Sequence, residues 1–177
     1  SEMCIRDSAH LARHTMMKNY LMASPLLAAS ALVHAAAPAE PQAVFDRYVQ
    51  AVHVADMGAV RALIAPDVER SDYPACTAPM DNPTCLALYI DQTVVQPRAR
   101  LAVLSVEVRA SELTARLEVR SPLYEKAGVE RIVGSDVLRI EGGQIRAFRF
   151  VPDFADPATA RFFASIGITP RPRSSQP

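Results

Sequence analysis

The sequence predicts an α+β fold, and three observations carry that reading. Segments with helical periodicity come first, the apolar period drops to two from Arg98 onward, and the pair Gly142-Gly143 joins two of the alternating runs as a hairpin turn. Helices followed by long antiparallel strands, rather than alternating with them, imply one curved sheet wrapped over the early helices. Such a cone leaves one open pocket. The chain has 177 residues, half of them hydrophobic, which suits a single domain with a real core.

The first residues read as a leader rather than as folded protein. Met16-Met17-Lys18-Asn19 and the following "YLMASPLLAASALVHAAAPAE" combine a short basic start, an apolar run and small residues, the pattern of a secretory signal peptide. The apolar run is too short to span a membrane. Val33-His34-Ala35 offers small residues for cleavage after Ala35, so the signal is assigned to residues 16–35. Residues 1–15 then lie upstream of the start, and "SEMCIRDS" resembles translated sequencing-adapter read-through. The expected product is exported, periplasmic or secreted, with a domain over residues 38–168 and an unstructured tail over 169–177.

The elements of that domain follow in order. "PQAVFDRYVQAVHVAD" places Val44, Tyr48, Ala51, Val52 and Ala55 on one face of an amphipathic helix. Asp56 caps a short second helix, "MGAVRALIA", which Pro66 ends. "DVERSDY" fits a short strand, and a Pro- and Asn-rich loop bounded by Cys76 and Cys85 leads into a third helix, "LALYIDQTVV", that stops before Pro97. Four alternating runs follow: "RARLAVLSVEVRA", "ELTARLEVRS", "VERIVGSDVLRIE" and "QIRAFRFV". Asp156 caps a last helix, "PATARFFASIG", with Pro157 at its first position and Gly167 closing it.

Charge and motif content narrow the function classes. The chain carries 19 basic and 19 acidic side chains in mixed order. Setting aside Arg6, Arg13, Lys18, Glu2 and Asp7 leaves 16 and 17. No basic run exists to hold nucleic acid or an anionic membrane surface. There is no Gly-rich phosphate loop, no H-E-x-x-H and no G-x-S-x-G elbow, so no cofactor or metal is implied. After export only Cys76 and Cys85 remain, and an oxidising compartment favours pairing them; a zinc site or a thiol nucleophile are the alternatives. His53 would be the one histidine left, on the helix surface or near its end.

The side chain that asks for an explanation is Asp136. On the strand "RIVGSDVLRIEGG" it shares parity with Ile132, Gly134, Leu138 and Ile140, an apolar set. A buried carboxylate is costly unless paired or protonated. Two roles are open: a pocket residue, or a structural ion pair with Arg149, Arg120 or Arg116. Tyr48 falls on the buried face of the first helix, as a ligand contact or a core tyrosine. Asp72 precedes Tyr73-Pro74 and is either functional or a turn residue. Tyr89, Phe148 and Phe150 are spaced to line a pocket, and Asp153 opens the turn into the last helix.

These segments carry a resemblance. "FDRYVQAVHVADMGAVRALIAPDVE" followed by "GVERIVGSDVLRIEGGQIRAFRFVPD" resembles the NTF2-like superfamily in its SnoaL-like branch, over about Ala43 to Phe163. The resemblance implies a cone-shaped α+β fold; it implies no single activity, because the fold hosts enzymes and binders alike. Within that superfamily the pattern is similar to steroid Δ-isomerases: Arg47-Tyr48, then Asp72 24 residues beyond Tyr48, then Asp136 in a D-V-x-R context. By that resemblance Asp72 would shuttle a proton between carbons, while Tyr48 and a protonated Asp136 donate to the enolate oxygen. Where those isomerases keep a supporting tyrosine in the second helix, this chain has Ile64. The expected function is binding of a small, largely apolar molecule in the pocket. The alternatives are a cofactor-free isomerase and a non-enzymatic interaction protein using the outer sheet face. A homodimer through that face is implied by the resemblance.

Overall fold

The computed structural model describes residues 41–71 and 73–170. The signal and tail assignments, and Asp72, lie outside the described residues. The first helix, α1, spans Pro41–His53 and buries Val44, Phe45, Tyr48, Ala51 and Val52, an apolar stripe at helical spacing. It stops short of the predicted Ala55. That residue takes φ 58° and is exposed, and the Asp56 amide donates back to the Ala51 carbonyl at 2.9 Å. The turn frees Asp56 to cap α2 (Met57–Leu63), accepting from the Ala59 amide at 2.9 Å.

The predicted strand over "DVERSDY" does not form. Ile64 makes a single parallel bridge to Ile145, and the Ala65 and Glu69 amides donate to the carbonyls of Ile145 and Arg146 at 3.0 and 2.8 Å. Beyond them the backbone is satisfied by side chains instead of a ladder. Asn82 Nδ2 donates to the Val68 carbonyl at 2.9 Å, and the Arg70 guanidinium donates to the Thr77 and Met80 carbonyls. The result is an irregular strap.

Cys76 and Cys85 are joined by a disulfide, with Cα atoms 5.3 Å apart. The third helix, α3 (Asn82–Ile90), begins inside the loop predicted between them. Asp81 caps it by accepting from the Thr84 amide at 2.7 Å, and Pro83 occupies its first turn. The disulfide therefore ties the strap to the first turn of α3. The helix widens into one π-helical turn, Asp91–Val95, before Pro97.

Four strands follow: β1 (Arg100–Arg109), β2 (Glu112–Arg120), β3 (Ile132–Glu141) and β4 (Gln144–Pro152), an antiparallel meander in the order β1-β2-β3-β4. Between β2 and β3 a single turn of helix, α4 (Pro122–Glu125), is capped by Ser121. The last helix, α5 (Pro157–Ser165), is capped by Asp156 as expected, and Gly167 takes φ 79° after it. Thr159 of α5 is fully buried, and its hydroxyl accepts from the Val133 amide at 2.8 Å, pinning α5 to β3.

The inner face of the sheet is read from its register. Leu113, Ala115, Leu117 and Val119 of β2 are buried and pair with Leu138, Asp136, Gly134 and Ile132 of β3. α1 packs on this face. Val103 and Val108 of the edge strand pair with Leu117 and Leu113, so they share that face, yet each is about two-fifths exposed. Leu104 sits at the irregularity between Val103 and Ser105. The opposite face carries Glu118, Arg116, Ser135, Arg139 and Arg149, so apolar exposure on the sheet lies largely along β1 instead.

Replacing both Cys76 and Cys85 by serine should cost about 2.5 to 3 kcal/mol of stability on the chain-entropy account of a short closed loop. Thermal unfolding checks it: reductant should lower the melting temperature of the parent protein and leave the double variant unmoved.

Candidate functional site

Asp136 sits at the centre of the inner sheet face because the strand alternation puts it there. Across the sheet it lies between Ala115 of β2 and Phe150 of β4, in a row that continues to Val106 of β1. The neighbouring rows run Leu117-Gly134-Pro152 and Leu113-Leu138-Phe148. Every other residue in these rows is apolar. Asp136 is 4% exposed, and burial alone pushes its pKa from 3.8 up to about 7.

Among the described residues no arginine answers it. Arg116 is paired with Asp153 at 2.7 Å, and Arg120 with Glu118 at 3.0 Å and with Glu130. Arg149 pairs across the ladder with Val137, so its side chain leaves from the opposite face. Among the described residues no salt bridge reaches Asp136, and the structural ion pair is set aside. Asp153 holds the turn it was predicted to open, accepting from the Ala155 amide at 3.1 Å.

Asp136 faces a cavity of about 510 Å³ enclosed between the inner sheet face, the strap, α3, α4 and α5. That volume is in the range of small-molecule sites. Tyr48, Tyr89, Phe148 and Phe150 line it together with Asp136. Tyr48 reaches it from α1 while only 1% exposed, its ring edge-on to Phe148 with centroids 5.8 Å apart. Burial first, then the Asp136 charge, raise the Tyr48 hydroxyl well above its ordinary pKa of 10.0. Tyr48 is therefore a neutral donor, close enough to Asp136 to feel its charge.

Two further tyrosines of the wall escape the sequence reading. Tyr73, on the strap, donates to the Phe148 carbonyl at 2.8 Å and stacks on Tyr89, with ring centroids 3.8 Å apart at 10°. Burial pushes its pKa to about 12. Tyr124 of α4 packs edge-on against Phe162 of α5, 4.6 Å away, and burial and the Asp136 charge raise its pKa as well. The Ser121-Pro122 pair, a helix-start signal, marks the turn that presents Tyr124. Nothing comparable marks Tyr73, whose place depends on the disulfide-tied strap. Four tyrosines thus surround one acid.

Gly134 makes room for part of this wall. A Cβ there would meet the Phe150 ring at 2.2 Å and the Val151 carbonyl oxygen at 2.7 Å. The absence of a side chain lets the Phe150 ring lean over β3 beside Asp136. His53 stands apart, at the end of α1 beside a second, open groove lined also by Arg98 and Arg100. Among the described residues no group of three or more His, Cys, Asp or Glu could hold a metal.

No protein-family model matches the sequence, and no curated protein matches it. Solved structures do. The chain is similar to an NTF2-like protein of unknown function from Cytophaga hutchinsonii, at 9% identity over 66% of this chain and 92% of that one, with a TM-score of 0.50. It is similar to Rv0760c from Mycobacterium tuberculosis at 16% identity, over 65% and 92% of the two chains, with a TM-score of 0.51. A computationally designed 17-OHP binder gives 13% identity, 65% and 92% coverage and a TM-score of 0.51. At such identities the likeness is one of fold. The chain has the NTF2-like α+β cone fold predicted from its sequence.

The raised pKa of Asp136 makes stability depend on pH with a definite sign. Below pH 3.8 the group is protonated in both states and contributes nothing. From there to about pH 7 the folded protein keeps a proton that the unfolded chain releases, so stability falls as pH rises. Above pH 7 the full cost stands, about 4 kcal/mol at most. Asp136→Asn should remove this slope, and denaturant titrations at pH 5 and pH 8 should show the variant's stability relative to the parent protein rising between the two.

Proposed function

We propose that the protein binds a small, largely apolar molecule in this cavity, with one polar group of the ligand meeting Asp136. The observation that carries the reading is a buried acid, with no hydrogen-bond or salt-bridge partner among the described residues, on the wall of an apolar, ring-lined cavity of about 510 Å³. A core that merely needed filling would hold an aliphatic side chain at position 136, since an unpaired buried carboxyl is a cost. A ligand that hydrogen-bonds Asp136 and covers the rings offsets it. That a designed protein of the same fold binds 17-OHP supports an apolar ligand of this kind. The disulfide that ties the strap over the cavity supports the exported assignment, because such bonds persist in oxidising compartments.

The steroid-isomerase resemblance supports a second reading, because Tyr48 and Asp136 line one cavity and Asp136 keeps its proton up to about pH 7. In that reading the Asp72 carboxylate takes a proton from the carbon beside a ketone and returns it two carbons further on. Tyr48 and protonated Asp136 donate to the enolate oxygen between the two transfers. A carboxylic acid kept neutral by an apolar site is the known oxyanion donor of ketosteroid isomerase, so the role given to Asp136 is an analogy with that enzyme. No cofactor is needed.

Two measurements separate the readings. Calorimetric titration with 17-OHP and a panel of smaller apolar alcohols and ketones should detect a binder, and Leu117→Arg, which puts a cation into the cavity wall, should abolish it. If no member of the panel binds, the pocket reading fails. Turnover of a β,γ-unsaturated ketosteroid should drop by about two to four orders of magnitude in Asp72→Asn if Asp72 is the base; turnover indifferent to that change rejects the isomerase.

A further inference from the structure

The walls around Asp136 differ from those of a site built only for a neutral ligand. Tyr48 from α1, Tyr73 from the strap, Tyr89 from α3 and Tyr124 from α4 all lie within reach of its charge. β2 and β4 present Ala115, Leu117, Phe148 and Phe150 to it, and α5 presents Phe162 and Phe163 to the same cavity. Arg149 is the one basic residue along the cavity wall, but it pairs with Val137 and its exposed side chain leaves β4 from the opposite face. Among the described lining residues there is thus one acid, no cationic side chain turned toward it and a wall rich in aromatic rings. Ring faces are electron-rich and attract cations, the more so where water is excluded.

We infer that the ligand carries a basic nitrogen: an apolar body bearing a protonated amine, whose ammonium group pairs with the Asp136 carboxylate and packs against the surrounding tyrosine and phenylalanine rings. The inference rests on the pocket reading and names the class of its ligand. An anion would meet the acid and the ring faces unfavourably. A neutral ketone or alcohol can take one hydrogen bond from Asp136 but gains nothing from the rings as a cation does. An ammonium group draws on both, and it removes the cost of ionising Asp136 in an apolar setting.

The two ligand classes also differ in their pH dependence. An amine binds the ionised acid, so its affinity rises as pH passes about 7 and falls only when the amine loses its own proton. A ketone or alcohol that accepts a hydrogen bond from the protonated acid behaves oppositely. The tyrosines facing Asp136 stay neutral throughout this range, so among the described residues Asp136 alone supplies the effect.

The test uses matched probes, 1-adamantylamine and 1-adamantanol, titrated calorimetrically into the protein at pH 6 and pH 8. The amine should bind about tenfold or more tightly than the alcohol at pH 8, as expected for a desolvated charge pair with ring contacts. Its advantage should shrink at pH 6 and vanish in Asp136→Asn. Equal or tighter binding of the alcohol at pH 8 overturns the inference and leaves the pocket reading standing. An amine preference that survives in Asp136→Asn also overturns it. Binding of neither probe overturns both. The pH comparison on the parent protein stands whether or not the variant folds.

Discussion

The register of β3 between β2 and β4 is the constraint on which the rest depends. Side chains alternate strictly along a strand, so a slip of one residue would turn Ile132, Gly134, Asp136 and Leu138 outward. It would press Arg131, Ser135, Val137 and Arg139 onto α1 in their place. The apolar set Leu113, Ala115, Leu117 and Val119 on one side, and Phe148 and Phe150 on the other, holds the strand against that slip. The same register that buries the leucines buries the carboxyl. Asp136 is carried to the cavity by the packing of its neighbours, against its own preference for water.

The remaining walls come from segments with little regular structure, and each is fixed by a small number of directed contacts. Thr159 joins α5 to β3, Ser121 caps α4, and the disulfide with Asn82 and Arg70 holds the strap against α3. Hydrogen bonds in such places matter less for their net energy than for the cost of leaving buried backbone unpaired. The sheet provides a rigid floor, while the ring positions are set by caps and one covalent link. Charged pairs such as Arg116 with Asp153 and Arg139 with Glu69 lie away from the cavity, on the solvated side.

Periodicity made the sheet legible in the sequence: the four alternating runs and the Gly142-Gly143 turn all recur in the structure. The caps at Asp56 and Asp156 were equally legible, because a cap is a local interaction between residues three apart. The strap was not. "DVERSDY" is short enough to fit a strand, but the Glu69 amide goes to the Arg146 carbonyl and the Val68 carbonyl to the Asn82 side chain, distant partners that no local pattern encodes. The start of α3 was masked by a loop-like composition, although Asp81-Asn82-Pro83 contains a cap and a first-turn proline. Around the cavity, Asp136, Tyr48, Tyr89, Phe148 and Phe150 stand out in the sequence through strand parity, helix face and spacing. Tyr73 and Tyr124 do not, because their places are set by tertiary contacts rather than by period.

Gly134 has a consequence for what the protein can become. The room occupied by the Phe150 ring exists because one residue has no side chain, with a carbonyl oxygen and a ring already inside the space a methyl group would need. Position 134 touches neither the acid's oxygens nor any tyrosine hydroxyl in the hydrogen bonds of the fold. A single added carbon there would push the ring off β3 and redraw the width of the chamber, leaving its chemistry in place. The chain thus separates the question of which functional group it recognises from that of how large a guest it admits, and the second is answered by a missing atom.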